Sequence, residues 1–186
     1  MPLISGTTMY KPLVVLSGCS GGGKSTLILE LARRGHTTFD EPGRAIVQEQ
    51  MQTGGNTLPT TDPIGFAELC ISRAINHFED APADQTSFCD RSIIDAVSFL
   101  DHHDMTPEHS AEKAHRYRYA DDVFLTPLWP EIFTTDAERT HSFEDAVAEY
   151  ERLVISYPQY GYRIHTIPKS PVAERADYIL QVLNSR

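Results

Sequence analysis

The chain has 186 residues, 40% of them hydrophobic, and a formal net charge of −10. That length and apolar share suit one α/β domain with a proper core, while the acidic balance and lack of a long basic tract argue against nucleic acid as the main partner, since backbone binding needs clustered Lys and Arg. No apolar stretch approaches the roughly 20 residues of a membrane span, the leader 1–11 lacks a secretion-signal pattern, and the scattered Cys19, Cys70 and Cys89 fit a reducing cytoplasm.

The first predicted element is a strand, Leu13–Ser17, followed by Gly18-Cys-Ser-Gly-Gly-Gly-Lys-Ser25 and a helix from Lys24 to about Arg34, stopped by Gly35. Strand, glycine-rich loop and helix give a G-x-x-x-x-G-K-[ST] match the context of a P-loop. Glycines let the backbone wrap around phosphate with its N–H groups inward, and the helix adds its positive dipole end. Gly18, Cys19, Ser20, Gly21, Gly22, Gly23, Lys24, Ser25 and Thr26 are the expected nucleotide cradle. Lys24 is assigned to the β/γ-phosphates and Ser25 to Mg²⁺. Cys19 is read as a small residue whose backbone serves the loop, with oxidation sensitivity as the alternative.

A short strand, Thr37–Phe39, leads to Asp40-Glu41-Pro42, then a helix over Arg44–Gln52 and a loop over 54–61. Asp62-Pro63 starts a helix with one face marked by Ile64, Ala67, Ile71, Ala74, Ile75 and Phe78. Ser87–Cys89 is a strand ending at Asp90-Arg91, with helix over Ser92–Leu100. Pro107–Arg118 is read as a further helix. Adjacent His102 and His103 project in different directions from a helix end, which argues against a shared metal.

Asp122–Leu125 is the fourth strand, broken by Thr126–Pro130. Ser142-Phe-Glu-Asp145 resembles a capping box. Behind it Phe143, Ala146, Val147, Tyr150, Leu153, Val154 and Tyr157 recur at helical spacing, as core packing. Tyr162–Ile167 is the fifth strand, and Ser170-Pro171 starts a last helix with Val172, Ala176, Ile179, Leu180 and Leu183 inward. The expected fold is a three-layer α/β/α P-loop NTPase domain spanning 1–186, with a five-stranded parallel sheet.

In such sheets ligands bind beyond the carboxyl ends of the strands. Those ends deliver the P-loop, Asp40-Glu41, Asp90-Arg91, the 126–130 loop and Pro168-Lys169-Ser170. Asp90 fits a carboxylate of the Mg²⁺ shell, and Glu41, beyond the strand end, fits the base on the acceptor side. Arg91 and Arg44 have the planar fork to grip the acceptor or its phosphate. Asp90-Arg91 also reads as a helix cap followed by a surface Arg. Lys169 lies where the nucleobase edge is expected. Residues 126–142 read as a lid whose Arg139 closes over the triphosphate, or as a surface helix with solvated charges.

Gly18–Ser25, Phe39-Asp-Glu-Pro-Gly-Arg44, Phe88-Cys-Asp-Arg-Ser-Ile-Ile-Asp95, Asp122–Leu125, Trp129–Phe133 and Tyr160-Gly-Tyr162 together resemble the small bacterial AAA-type ATPase/kinase-like family. Its relatives include the ribosylnicotinamide kinase domain. The resemblance runs from Pro12 through nearly the whole chain and implies ATP use. Deoxynucleoside kinases are similar at three points: the P-loop, the Glu-Pro after strand two and the acidic-Arg-Ser element after strand three. That likeness implies Glu41 as base and Arg91 at the acceptor site. The lid departs from it, with Arg139 where those kinases carry several close arginines.

A reading as an ancillary binding domain that has lost catalysis is opposed by the intact Lys24, Ser25 and Asp90, and two functional readings lead. One is a kinase that moves the ATP γ-phosphate to a nucleoside, nucleotide or cofactor precursor. The other is a regulatory nucleotide switch or slow ATPase working through a protein partner. Paired strand-end carboxylates and a lid favour the kinase. The acidic neighbour that hydrolases commonly place beside the Mg²⁺ carboxylate is replaced here by Arg91.

Overall fold

A computed structural model describes residues 8–133 and 142–185. The strands are β1 (Met9–Tyr10), β2 (Leu13–Gly18), β3 (Thr37–Phe39), β4 (Ser87–Asp90), β5 (Tyr117–Arg118), β6 (Asp122–Thr126) and β7 (Arg163–Thr166). The helices are α1 (Lys24–Arg33), α2 (Pro42–Thr53), α3 (Pro63–Asp80), α4 (Ile93–His102), α5 (Glu108–Arg116), α6 (Phe143–Gln159) and α7 (Val172–Asn184). A 3₁₀ turn covers Pro130–Ile132.

Five strands form one all-parallel sheet in the order β3-β4-β2-β6-β7. The central β2 is buried on both faces, as parallel strands between helices are. Its alternate side chains feed separate cores. Leu13 and Val15 join Ile71, Phe78, Val97 and Leu153 on the face carrying α3, α4 and α6. Val14 and Leu16 join Leu27, Leu31, Ala176 and Ile179 on the face of α1 and α7. The expected three-layer α/β/α architecture is the observed one.

Departures from the sequence reading are local. Helix α2 begins at Pro42, whose fixed φ suits a first turn, two residues before the expected Arg44. Helix α5 stops at Arg116, because Tyr117 and Arg118 turn extended and pair with Met9 and Tyr10. Ile64 and Val154 were expected inward but are 42% and 39% exposed, since the core faces of α3 and α6 are set by Ala67, Ile71, Phe78 and by Ala146, Leu153, Tyr157. The Ser142–Asp145 capping box forms with both reciprocal bonds. No helix among the described residues is long and apolar enough to cross a membrane.

Candidate active site

The loop after β2 has the backbone its glycines permit. Gly18 has φ +110°, and an added Cβ would lie 2.5 Å from the Thr126 carbonyl oxygen, so neither conformation nor space admits a side chain. Thr126, at the end of β6, donates through Oγ1 to the Ser17 carbonyl. Gly23, at φ +79°, turns the chain into α1. Lys24 is 2% exposed and folds back, donating Nζ–H to the carbonyls of Cys19 at 2.8 Å and Gly18 at 3.3 Å. Ser25 and Thr26 are exposed at the head of α1, and Thr26 donates to the Gly23 carbonyl. The Cys19 thiol is 1% exposed and burial pushes its pKa up, which disfavours the thiolate that oxidation requires.

Beside β2, register pairs Leu16 with Asp90, so the end of β4 lies next to the loop. Asp90 is 2% exposed, and its Oδ1 has no hydrogen-bond partner among the described residues. Burial raises its pKa to about 7, with Glu41 and Asp95 adding and Lys24 and Arg91 offsetting. Asp90 is not the helix cap that the alternative reading made it. Ser92 caps α4, closing a box with Asp95.

Arg91 is not a surface residue either. It sits at φ +71°, a conformation rare outside glycine, with its amide donating to the Leu16 carbonyl at 2.9 Å. Its guanidinium pairs with Glu41 at 3.0 Å, Glu149 at 2.8 Å and Asp95 at 3.3 Å. Burial opposes its charge, but the carboxylates of Glu149, Glu41, Asp95 and Asp90 outweigh burial and raise its pKa. Asp95 is itself held by Ser17 Oγ and Tyr157 Oη, both at 2.5 Å.

Glu41 stands at the N-cap position of α2 but makes no capping side-chain bond; its carboxylate turns to Arg91 in the site, whereas Asp40 is exposed. Glu41, Arg44 and Arg91 line one cavity of about 350 Å³ between α2, α3, α4 and α6. Phe66 and Phe99, ring centroids 6.3 Å apart and nearly perpendicular, supply part of its apolar wall, and His102 and His103 also line it. Ser20 of the glycine-rich loop borders the same cavity, so phosphate loop and cavity are continuous.

The fold thus gathers Lys24, Glu41, Arg44, Asp90 and Arg91 at one edge of the sheet. Lys169 stands exposed in the β7–α7 connection, and it does not line the cavity that Glu41, Arg44 and Arg91 share. Arg139 lies outside the described residues, as does the whole 134–141 stretch of the expected lid. The described start of that segment packs on the loop: a Cβ at Gly21 would meet the Phe133 ring at 2.7 Å. Three residues that sequence reasoning passed over complete the site. Glu149 accepts a 2.8 Å hydrogen bond from the Ser20 amide, and Arg91 with Lys24 holds its pKa low against the effect of burial. Arg152 lines the cavity. Arg175, in the first turn of α7 and 6% exposed, donates to the Gly23 carbonyl at 3.3 Å. Their only sequence signal was polar residues interrupting the apolar stripes of α6 and α7.

A family model described as an AAA domain matches residues 13–175. No curated protein sequence matches. Deoxyadenosine kinase from M. mycoides superposes with a TM-score of 0.68 at 15% identity, covering 94% of this chain and 100% of that one. Thymidylate kinase from Candida albicans gives 0.65 at 13% identity, covering 94% and 92%. NadR protein in complex with NR gives 0.66 at 15% identity over 94% of this chain, which spans 51% of that one. At these identities the likeness is one of fold.

Proposed function

The chain belongs to the AAA-domain family, and we propose that it is an ATP-dependent phosphotransferase acting on a small-molecule acceptor. One observation carries this reading: Ser20 of the P-loop borders the cavity that also holds the Glu41–Arg91 pair. A donor site opening into an acceptor-sized cavity, with a base and a cation at the junction, is what direct transfer between two small molecules requires. The kinase neighbours support it.

In this account the triphosphate lies on the amides of residues 18–26. Lys24 Nζ exchanges the carbonyls of Gly18 and Cys19 for β- and γ-phosphate oxygens. The unpartnered Oδ1 of Asp90 and the exposed Ser25 hydroxyl fit an Mg²⁺ ion, which keeps most of its ligands as phosphate and water. When bound, Mg²⁺ supplies charge neutralisation. The acceptor hydroxyl oxygen attacks the γ-phosphorus, its proton passes to the Glu41 carboxylate, and the bond from the γ-phosphorus to the bridging oxygen breaks to release ADP. Arg91 orients Glu41 at 3.0 Å and faces the developing negative charge. Arg44 grips the acceptor. Lys169 is assigned to the nucleobase edge and Arg139, in the 126–142 lid, to the triphosphate. A single cytoplasmic domain is the setting proposed.

The test is ADP formation with MgATP across a panel of nucleosides, nucleotides and hydroxylated metabolites. Acceptor-dependent ADP, lost in Glu41→Gln, is the expected result. Hydrolysis that responds only to a protein partner would replace the kinase with a regulatory switch.

A further inference from the structure

The cavity beside the P-loop contains a cation that the transfer chemistry above does not use. Arg152 lies half-buried on α6 and lines that cavity. Its Nε donates to Ser98 Oγ at 3.1 Å, and Ser98 in turn accepts from Ser156 Oγ at 3.0 Å. No carboxylate pairs with its guanidinium among the described residues, in contrast to Arg91, which holds three. Burial lowers the Arg152 pKa, with Glu149 and Asp95 counteracting from a distance and Arg91 adding to the effect. A partly buried cation without a counter-ion is costly, and an incoming anion relieves that cost.

Its position sets what such an anion does. Glu149 and Arg152 are three residues apart, on one face of α6. Asp95 and Ser98 are likewise three apart on α4, which packs against α6. Glu149 and Asp95 hold Arg91 at the P-loop end. Arg152 and Ser98 are therefore one turn, about 5 Å, farther along both helices than the carboxylates that hold Arg91. An anion there is remote from the attacking oxygen and serves as a handle.

We infer that the acceptor carries an anionic group, a phosphate ester or a carboxylate, that pairs with Arg152, and a separate hydroxyl that reaches the Glu41–Arg91 end of the cavity. This rests on reading the cavity as the acceptor site. The apolar wall of Phe66 and Phe99 takes the body of the molecule, and the cavity of about 350 Å³ limits it to nucleotide size. A cationic acceptor is disfavoured by the same guanidinium.

The experiment is calorimetric titration of paired probes without ATP: four nucleosides against their 5′-monophosphates, and shikimate against its methyl ester. The anionic member of at least one pair is expected to bind about tenfold tighter than its neutral partner. That preference should collapse in Arg152→Gln, persist in Arg152→Lys and survive in Lys24→Ala. It should also weaken as salt rises, a readout in the wild-type protein that holds even if Arg152→Gln does not fold. No preference for any anionic member, or a preference lost in Lys24→Ala yet kept in Arg152→Gln, overturns the inference. A kept preference with no ADP formation from any probe would instead sink the kinase reading and leave the anion site standing.

Discussion

One oxygen of Glu149 accepts a 2.8 Å hydrogen bond from the Ser20 amide, while the other pairs with Arg91 at 2.8 Å. The carboxylate therefore occupies a P-loop amide and tethers the site's central guanidinium at once. An arriving triphosphate meets a negative charge where it needs a donor. Between an effective dielectric near 20 and that of bulk water, such a charge about 4 Å away opposes binding by about 1–4 kcal/mol. Glu149→Gln is expected to tighten ATP binding several-fold and to lower kcat, because Arg91 loses one of its anchors. Calorimetry and turnover on the same variant check both halves; unchanged ATP affinity would remove Glu149 from the nucleotide site.

The second prediction concerns pH. Burial raises the Asp90 pKa to about 7, against an ordinary value of 3.8. In the unfolded chain this carboxyl ionises near pH 4, whereas the folded protein keeps the proton up to about pH 7. Its contribution to stability is complete below pH 4 and is lost as pH rises through 7. Asp90→Asn should match the ligand-free wild type at about pH 4 and exceed it at pH 8 by a few kcal/mol, the order set by a shift of this size. Urea denaturation at the two pH values measures the difference. The same variant should lose the Mg²⁺-dependent part of nucleotide binding, and in the wild type that binding should strengthen between pH 6 and 8 as the proton leaves.

Glu41 and Arg91 form a 3.0 Å pair at the mouth of the P-loop. A general base of this kind contributes about 10²–10⁴-fold, so Glu41→Gln is expected to lower kcat by at least about a hundredfold with little change in ATP affinity. Arg91→Lys keeps the charge but cannot hold three carboxylates in one planar fork. It should lower kcat and also destabilise the fold, as seen by thermal melting. Turnover of Glu41→Gln equal to the wild type would take the base role from Glu41.

Gly18 tests the packing under the loop. A Cβ there would come within 2.5 Å of the Thr126 carbonyl and 2.7 Å of its Oγ1, at a φ that side chains avoid. Gly18→Ala should cost about 1–3 kcal/mol, from overpacking and backbone strain together. Equilibrium denaturation reads this directly, and wild-type stability would mean that β6 does not brace the loop.

What was legible in the sequence is what is local. Gly18 and Gly23 announce the loop because only glycine takes those angles readily. Pro42 placed Glu41, and not Asp40, beyond the strand end. Arg91 was legible by position but open in role, because a helix cap predicts the same residues. The cap fell to Ser92 through Ser92-x-x-Asp95, the same pattern as Ser142-x-x-Asp145, yet only the second was recognised. Glu149 and Arg175 reach the loop across sequence separations of 129 and 152 residues. No periodicity encodes such contacts, and on their own helices both residues show only as polar positions that interrupt an apolar stripe. The β1–β5 pair was missed for a related reason: two-residue strands carry no pattern, and only their pairing turns Tyr117 out of the helix.

The central claim is that the amides of residues 18–26, with Lys24, hold a nucleotide's phosphates. Calorimetric titration of MgATP into the wild type and Lys24→Ala tests it most directly. The account predicts one site in the wild type, weakened about tenfold or more in the variant, as expected when a charged donor to phosphate is removed. Equal binding by both proteins, or no binding by the wild type, would contradict it.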